Sequence, residues 1–312
     1  MLPAIMTAEL VINCFRFILF DFINDINDVN KIDIIECPDY MAQGIFLKLL
    51  NFNPSIVCRL QGGQEMGFGK GVMSWSPYTR FLYLLEWLSI NLVCDYINSP
   101  TRYMVNHVKN KILGKKLKDI KIFSNFNSET DNVVIENKIN KNIIFVGRLE
   151  KRKGIIEIAE IVNDIFLNTD VKNIYFVGRI NNIDNLPADE YILSKCNDLF
   201  HERIKFLGEV SNACIRKLMS KMYLCLMPSL NESFGIVATE AQSVGLPVIC
   251  FSDTALPEVI GSGGISVPYQ NTNELYLKTR ELLEDTQLRN KLSENAIDNY
   301  KTYHSIKQNS KK

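Results

Sequence analysis

The chain has 312 residues, 46% of them hydrophobic and 22% charged. That composition belongs to a globular protein long enough for two domains, and excludes a disordered or fibrous chain. Thirty-five basic residues balance 35 acidic ones, so the net charge of +0 excludes a global pull toward nucleic acid.

The eight cysteines (14, 37, 58, 94, 196, 214, 225 and 250) form no CxxC pair, and most sit in apolar runs. This predicts buried, reduced thiols in a cytoplasmic protein rather than a disulfide framework or a zinc site. Three scattered histidines, His107, His201 and His304, exclude a His-rich metal site, and no metal is expected. The apolar run Leu10 to Ile23 is broken by Arg16 and Asp21. It is also shorter than the roughly 20 residues of a membrane span. Met1-Leu2-Pro3-Ala4 lacks the basic start of a signal peptide. The expected location is the cytoplasm, with a peripheral contact at the inner membrane face as a further option.

In chain order, Thr7 to Ile23 has helical spacing and Ile32 to Cys37 reads as a strand. Tyr40 to Leu50 is again helical, and Ser55 to Leu60 is a second strand. It runs into Gln61-Gly62-Gly63-Gln64-Glu65-Met66-Gly67-Phe68-Gly69-Lys70-Gly71. A phosphate loop would place Gly at 64 and Ser or Thr at 71, where Gln and Gly stand, so this stretch reads as a flexible loop or lid. Pro77 to Ser89 is a helix, Val93 to Ile97 a strand, and Pro100 to Leu113 a helix leading into Lys109, Lys111, Lys115, Lys116, Lys118 and Lys121. Such a lysine cluster is a solvated face or a contact for an anionic membrane surface. Ile120 to Phe123 is a strand, and the polar stretch Asn127 to Asn142 reads as a domain linker.

From there short apolar strands alternate with helices. Strand Ile143 to Val146 precedes Gly147-Arg148 and helix Ile155 to Leu167. Strand Ile174 to Val177 precedes helix Ala188 to Leu199, and strand Ile204 to Leu207 precedes helix Asn212 to Lys221. Strand Met222 to Met227, strand Val248 to Phe251, a Pro257-Glu258 turn, strand Ile265 to Val267 and two helices, Thr272 to Leu283 and Thr286 to Tyr300, complete the pattern. Strands with little in–out alternation belong to parallel sheets covered on both faces. The expected fold class is α/β, two Rossmann-like doubly wound parallel-sheet domains, residues 1–135 and 136–300, with 301–312 a polar tail.

The stretch Pro228-Ser229-Leu230-Asn231-Glu232-Ser233-Phe234-Gly235-Ile236-Val237-Ala238-Thr239-Glu240-Ala241 sets two carboxylates around a Ser-Phe-Gly turn. Glu232 falls in a loop at a strand's carboxyl end, and the helix is expected to start at Phe234, Gly235 and Ile236. Glu240 then lies about 9 Å along the helix from Phe234. Free helix N–H groups suit a phosphate, and the flanking carboxylates suit hydroxyls, a layout matching sugar, diphosphate and ribose. The alternative is a capped helix with Glu232 favoured by the dipole and Glu240 on the solvated surface. Arg148 and Lys153, at the end of another strand, are two cations suited to a diphosphate.

These residues carry a family resemblance. Val146-Gly147-Arg148-Leu149-Glu150-Lys151-Arg152-Lys153-Gly154, Phe206-Leu207-Gly208-Glu209-Val210, the diacid stretch and Gly245-Leu246-Pro247-Val248-Ile249 together resemble the retaining glycosyltransferases of family 4, which have the GT-B fold. The resemblance covers residues 140–300, and it is looser in Ile34 to Tyr40, Val57 to Gly63 and Ile122 to Asn125. It implies that Arg148 and Lys153 meet the donor diphosphate, that Gly147 lies at that strand end, and that Glu232 lies at the donor sugar. It further implies that the backbone of Phe234, Gly235 and Ile236 meets sugar or phosphate, that Glu240 binds the ribose, and that Leu207 and Gly208 lie against the base.

The implied reaction moves a hexose from a UDP- or GDP-sugar to a glycan or lipid-linked acceptor, with retention and without a cofactor, in surface polysaccharide synthesis. Two departures accompany it. The family's first β–α unit is absent from the pattern, so the resemblance makes residues 1–135 an incomplete acceptor-side domain beside a donor-binding domain over 136–300, and Gln61 stands where the family often has His. A non-catalytic or partner-dependent nucleotide-sugar-binding subunit and a nucleotide-sugar epimerase are the alternative readings.

Overall fold

The computed structural model describes residues 32–45, 54–62, 77–109, 112, 120–125 and 140–305. The helix read over Thr7 to Ile23, the glycine-rich stretch beyond Gly62, most of the lysine cluster and most of the linker lie outside the described residues. The chain groups into two compact units. The second takes Ser124 onward together with Thr101–Tyr103, and the first takes nearly all that precedes.

The first unit holds a parallel sheet of order β1-β2-β3-β4, formed by β1 (Ile34–Pro38), β2 (Ser55–Arg59), β3 (Tyr96–Ser99) and β4 (Lys121–Ile122). Helix α1 (Pro77–Leu88) continues into a wide turn, Ser89–Val93, closed by the Cys94 N–H donating to the Ser89 carbonyl at 2.9 Å. That turn absorbs Val93, so β3 begins at Tyr96 rather than at Val93. Helix α2 is shorter than its sequence pattern, Arg102–Val108. The described part of the lysine cluster begins just after it.

The second unit is built on a six-stranded sheet, all parallel. Its elements in chain order are β5 (Ile143–Val146), α3 (Ile155–Asn168), β6 (Ile174–Val177), a hairpin of β7 (Asn182–Ile183) and β8 (Leu186–Pro187), α4 (Ala188–Lys195) and β9 (Ile204–Phe206). They continue with α5 (Asn212–Met219), β10 (Leu224–Met227), α6 (Ile236–Ser243), β11 (Val248–Phe251), α7 (Leu256–Ile260), β12 (Gly264–Val267), α8 (Thr272–Glu284) and α9 (Thr286–Asn299). The strand order is β12-β11-β10-β5-β6-β9.

Every residue of β5, β10 and β11 is buried. Alternate side chains enter separate cores on opposite faces, as the period of two requires. Ile143, Phe145, Leu224, Leu226, Ile249 and Phe251 join α3, α4 and α8 on one face. Ile144, Val146, Cys225, Met227, Val248 and Cys250 join α6 and α7 on the other. Each fully buried side chain of this size contributes about 1.5–3 kcal/mol, so both sheet faces are strongly fixed.

Several local features differ from the sequence reading. Helix α6 starts at Ile236, because Gly235 has a left-handed backbone (φ 91°) that no helical residue adopts. Glu240 is therefore about one turn into the helix. Helix α4 stops at Lys195, and the next residues form a separate turn, Asp198–Arg203, where the Asn197 side chain accepts from the Leu199 N–H. Asp184 and Asn185 both take positive φ (49° and 71°), the signature of a two-residue hairpin turn, and produce the unforeseen β7–β8 hairpin. Pro257 and Glu258 lie inside α7, with proline in its first turn, rather than in a turn. Beyond α9 the chain read as a polar tail continues as a wide helical turn, Tyr300–His304, in which Tyr300 and His304 are buried.

Candidate functional site

In the second sheet, β5, β6 and β9 follow one another outward on one side, and β10, β11 and β12 on the other. The strand order therefore reverses between β5 and β10, and ligands of doubly wound sheets bind outside the carboxyl ends of strands at such a reversal. The loop after β5 carries Gly147, Arg148 and Lys153, and the loop after β10 carries Glu232. Both loops end in a glycine that starts a helix, Gly154 for α3 and Gly235 for α6. Neither helix start has a side-chain cap, whereas Asn271 caps α8 and Asp285 caps α9 by accepting N–H hydrogen bonds. The two uncapped helix starts present N–H groups at the switch point.

The two loops interlock. Gly154, at φ 79°, brings its Cα against Pro228, and a Cβ there would stand 2.0 Å from the Pro228 carbonyl oxygen. The Leu230 N–H donates to the Arg152 carbonyl at 2.9 Å, and the Arg152 guanidinium donates to the Asn231 carbonyl at 3.2 Å. Lys153 Nζ donates to Glu232 Oε2 at 2.5 Å, with both side chains largely buried. The two strand ends thus meet in one ion pair. Glu150 organises the cations beside it, its carboxylate accepting from Arg152 at 3.0 Å and Asn181 at 3.1 Å and pairing with the Arg148 charge at 3.3 Å. Arg148 remains half exposed and touches Glu150 rather than Glu232.

The turn after Glu232 is held on several sides. Its carbonyl accepts from the Ala255 N–H at 3.0 Å, and the Ser233 carbonyl accepts from the Thr101 hydroxyl at 3.1 Å. Phe234 is buried in the α6–α7 core, so only its backbone is open to a ligand, while Ile236 is exposed. Gly235 packs so closely that a Cβ would sit 2.4 Å from Leu256 Cδ2. Glu258, at the same edge, has both oxygens engaged: they accept the N–H groups of Arg102 (2.8 Å) and Tyr103 (2.9 Å). Tyr103 donates its hydroxyl to the Asp253 carbonyl at 3.1 Å, and burial, then Asp253, then Tyr269 push its phenol up to about 12.

Glu240 is 6% exposed, which overturns the option of a solvated surface carboxylate. Burial raises its pKa, partly opposed by Arg216 of α5. It does not share the Lys153–Glu232 pair. Leu207 and Gly208 lie past the end of β9, two strands from β5, where the Gly208 carbonyl accepts from the Gly178 N–H at 2.7 Å. Leu207 is exposed there. The structure thus joins Lys153 to Glu232 directly and sets Gly147, Arg148, Phe234, Gly235 and Ile236 on the same two loops. Glu240 and the Leu207–Gly208 pair stand apart from that contact. Glu150, Arg152 and Thr101 were not singled out from the sequence. The first two lie in a cationic run whose charges look solvated until the fold bends them back, and Thr101 is far away in sequence.

The family model of the group 1 glycosyl transferases matches residues 127–299, the whole of this sheet and its helices. The chain belongs to that family. An uncharacterized glycosyltransferase of Methanocaldococcus jannaschii is 26% identical over 309 residues, an alignment spanning 88% of this chain and 72% of that protein. A protein of the cps region of Klebsiella pneumoniae is 33% identical over 149 residues, spanning 45% of this chain and 37% of its own length.

Among solved structures, sucrose-phosphate synthase from Thermosynechococcus elongatus matches 92% of this chain and 73% of its own, with a TM-score of 0.72 and 17% identity. HepE of Anabaena, in complex with UDP and glucose, matches 89% of this chain and 76% of its own, with a TM-score of 0.67 and 17% identity. The fold is that of GT-B glycosyltransferases. Among the described residues no helix is long and apolar enough to cross a membrane.

Proposed function

We propose that this glycosyltransferase moves a hexose from a nucleotide-sugar to a hydroxyl of a glycan or lipid-linked acceptor, with retention of configuration. The observation that carries the reading is the Lys153–Glu232 contact at the switch point, flanked by the uncapped starts of α3 and α6. In this reading the donor diphosphate lies over the two helix starts. Their N–H groups, Lys153 and Arg148 offset the negative charge that grows on the leaving phosphate. Glu232 takes hydroxyls of the donor sugar and, by holding Lys153, keeps the ammonium aimed at the phosphate. Glu240 takes the ribose hydroxyls, and Leu207 and Gly208 border the base.

The bond from the anomeric carbon to the phosphate oxygen breaks as the bond to the acceptor oxygen forms on the same face. The acceptor proton passes to the departing phosphate. Relatives support the substrate class: one is an O-antigen chain mannosyltransferase of Escherichia coli, 31% identical over 86 residues, and another lies in a cps region. Surface polysaccharide synthesis is the setting this suggests, with a peripheral membrane contact through Lys109–Lys121.

The test is turnover. Purified protein is incubated with UDP- and GDP-sugars and candidate acceptors, and release of nucleoside diphosphate is followed while NMR reads the anomeric configuration of the product. The expected result is release from at least one donor, abolished in Glu232→Ala, with the donor configuration kept. Absence of release from every donor, or equal release by Glu232→Ala, overturns the reading.

A further inference from the structure

His304, in the turn that follows α9, is a buried titratable side chain that the proposed function does not use. It is 5% exposed. Its Nε2 lies 3.0 Å from the Val259 carbonyl, which can only accept, so Nε2 carries the proton. Burial depresses the imidazole pKa, and Nδ1 lies 2.9 Å from the Ser124 hydroxyl, within hydrogen-bond reach. Two hydrogen bonds at opposite corners fix the plane of the ring. The carbonyl it holds is shared: Asn299 also donates to Val259 at 2.9 Å, and to the Gln242 side chain at 2.8 Å. Gln242, fully buried on α6, donates to the Ile260 carbonyl at 2.5 Å. His304 is thereby braced against both α6 and α7.

What this brace supports is Phe234. The two rings meet edge to face, with centroids 5.8 Å apart and planes at 79°. Phe234 stands between Glu232 and Gly235, and its ring is the part of that turn that enters the core. On its other side the turn bears on Leu256 through Gly235. A void at His304 would free the Phe234 ring to rotate and carry the backbone N–H groups at the start of α6 with it.

We propose that His304 is a positioning residue for the Glu232–Gly235 turn, acting through the ring of Phe234 to hold the N–H groups that meet the donor diphosphate. The proposal rests on reading that turn as the donor wall. It assigns to the end of the described chain a role in ligand affinity, separate from its role in covering the core.

The experiment compares the full chain with His304→Ala and His304→Phe, measuring UDP and GDP binding by calorimetry below the melting temperature of each variant. Removing an aromatic pair contact of this kind corresponds to about a two- to tenfold change in an equilibrium constant. His304→Ala is therefore expected to bind the preferred nucleotide about two- to tenfold more weakly. His304→Phe keeps the ring contact and loses both hydrogen bonds, so it is expected to melt lower yet bind near the wild-type level. A folded His304→Ala protein with wild-type affinity overturns the proposal, as does a Phe variant that loses as much affinity as the Ala variant. If the wild-type chain binds neither nucleotide, the donor reading itself fails and the proposal falls with it.

Discussion

The Lys153–Glu232 pair offers a quantitative test of how the two strand-end loops are joined. Lys153 and Glu232 keep only 19% and 13% of their side-chain surface. Exposed ion pairs contribute about 0–1 kcal/mol, whereas breaking a fully buried pair costs about 3–5 kcal/mol. A hydrogen bond to a charged group contributes about 1.5–3 kcal/mol, and the partial burial here places Glu232→Gln within that range. The double-mutant cycle with Lys153→Met isolates the pair, and its coupling energy is expected near 1–2 kcal/mol, about a 10-fold effect on the local opening constant.

Both tryptophans, Trp75 and Trp87, precede the second sheet in sequence, so intrinsic fluorescence would report the wrong unit. Native-state hydrogen exchange of amides in β5, α3 and β10 reads the right one. Additive single mutants, with coupling under about 0.5 kcal/mol, would show that each charge is solvated independently and that the loops are joined by backbone alone.

Further predictions follow from the same geometry. Because burial raises the Glu240 pKa, the folded protein holds that proton more tightly than the unfolded chain. Stability therefore falls as pH rises above the ordinary glutamate range and recovers in acid. Glu240→Gln should melt higher than wild type at neutral pH, the gap closing toward acid, while nucleotide affinity drops; parallel melting curves across pH would refute this. Gly154→Ala combines about 1–2 kcal/mol of left-handed strain with about 1–3 kcal/mol of overpacking against the Pro228 carbonyl. Gly235→Ala carries the same left-handed strain but meets side chains, Leu256 Cδ2 at 2.4 Å and Glu232 Cγ at 3.4 Å, rather than backbone, so its melting temperature should fall less, and the reverse order would contradict the packing. Among the seven described cysteines Cys214 alone is exposed, while burial pushes the Cys225 thiol up to about 12. Peptide mapping after brief alkylation at neutral pH should find Cys214 modified well ahead of the other six, and labelling of Cys225 at the same rate would show that the sheet opens.

By itself, the sequence determined the rhythm of the second unit and the identity of most of its candidate site. Strands such as Ile143–Val146 and Val248–Phe251 are runs of apolar residues buried on both faces, a pattern that needs no partner to be read. Glycine after strand ends and before helices marked the loops in the same local way. Helix starts were less legible, since Phe234 has helical spacing and only the left-handed Gly235 behind it delays α6. The Asp184-Asn185 turn carried a signal in its residue types, but one too short to outweigh the helical pattern that follows.

Only the tertiary structure decided which strand ends are neighbours. β5 and β10 are separated in the chain by two other strands of this sheet and by the β7–β8 hairpin, yet adjacent in the sheet, so the meeting of Lys153 with Glu232 depends on strand order, which no local pattern encodes. The same holds for Glu258, read as part of a Pro-Glu turn, whose carboxylate the fold commits to the N–H groups of Arg102 and Tyr103. It holds for His304 too, read as part of a polar tail and found against Phe234. Periodicity reports which face of an element is buried; which residues meet across faces is settled by packing between elements far apart in the chain.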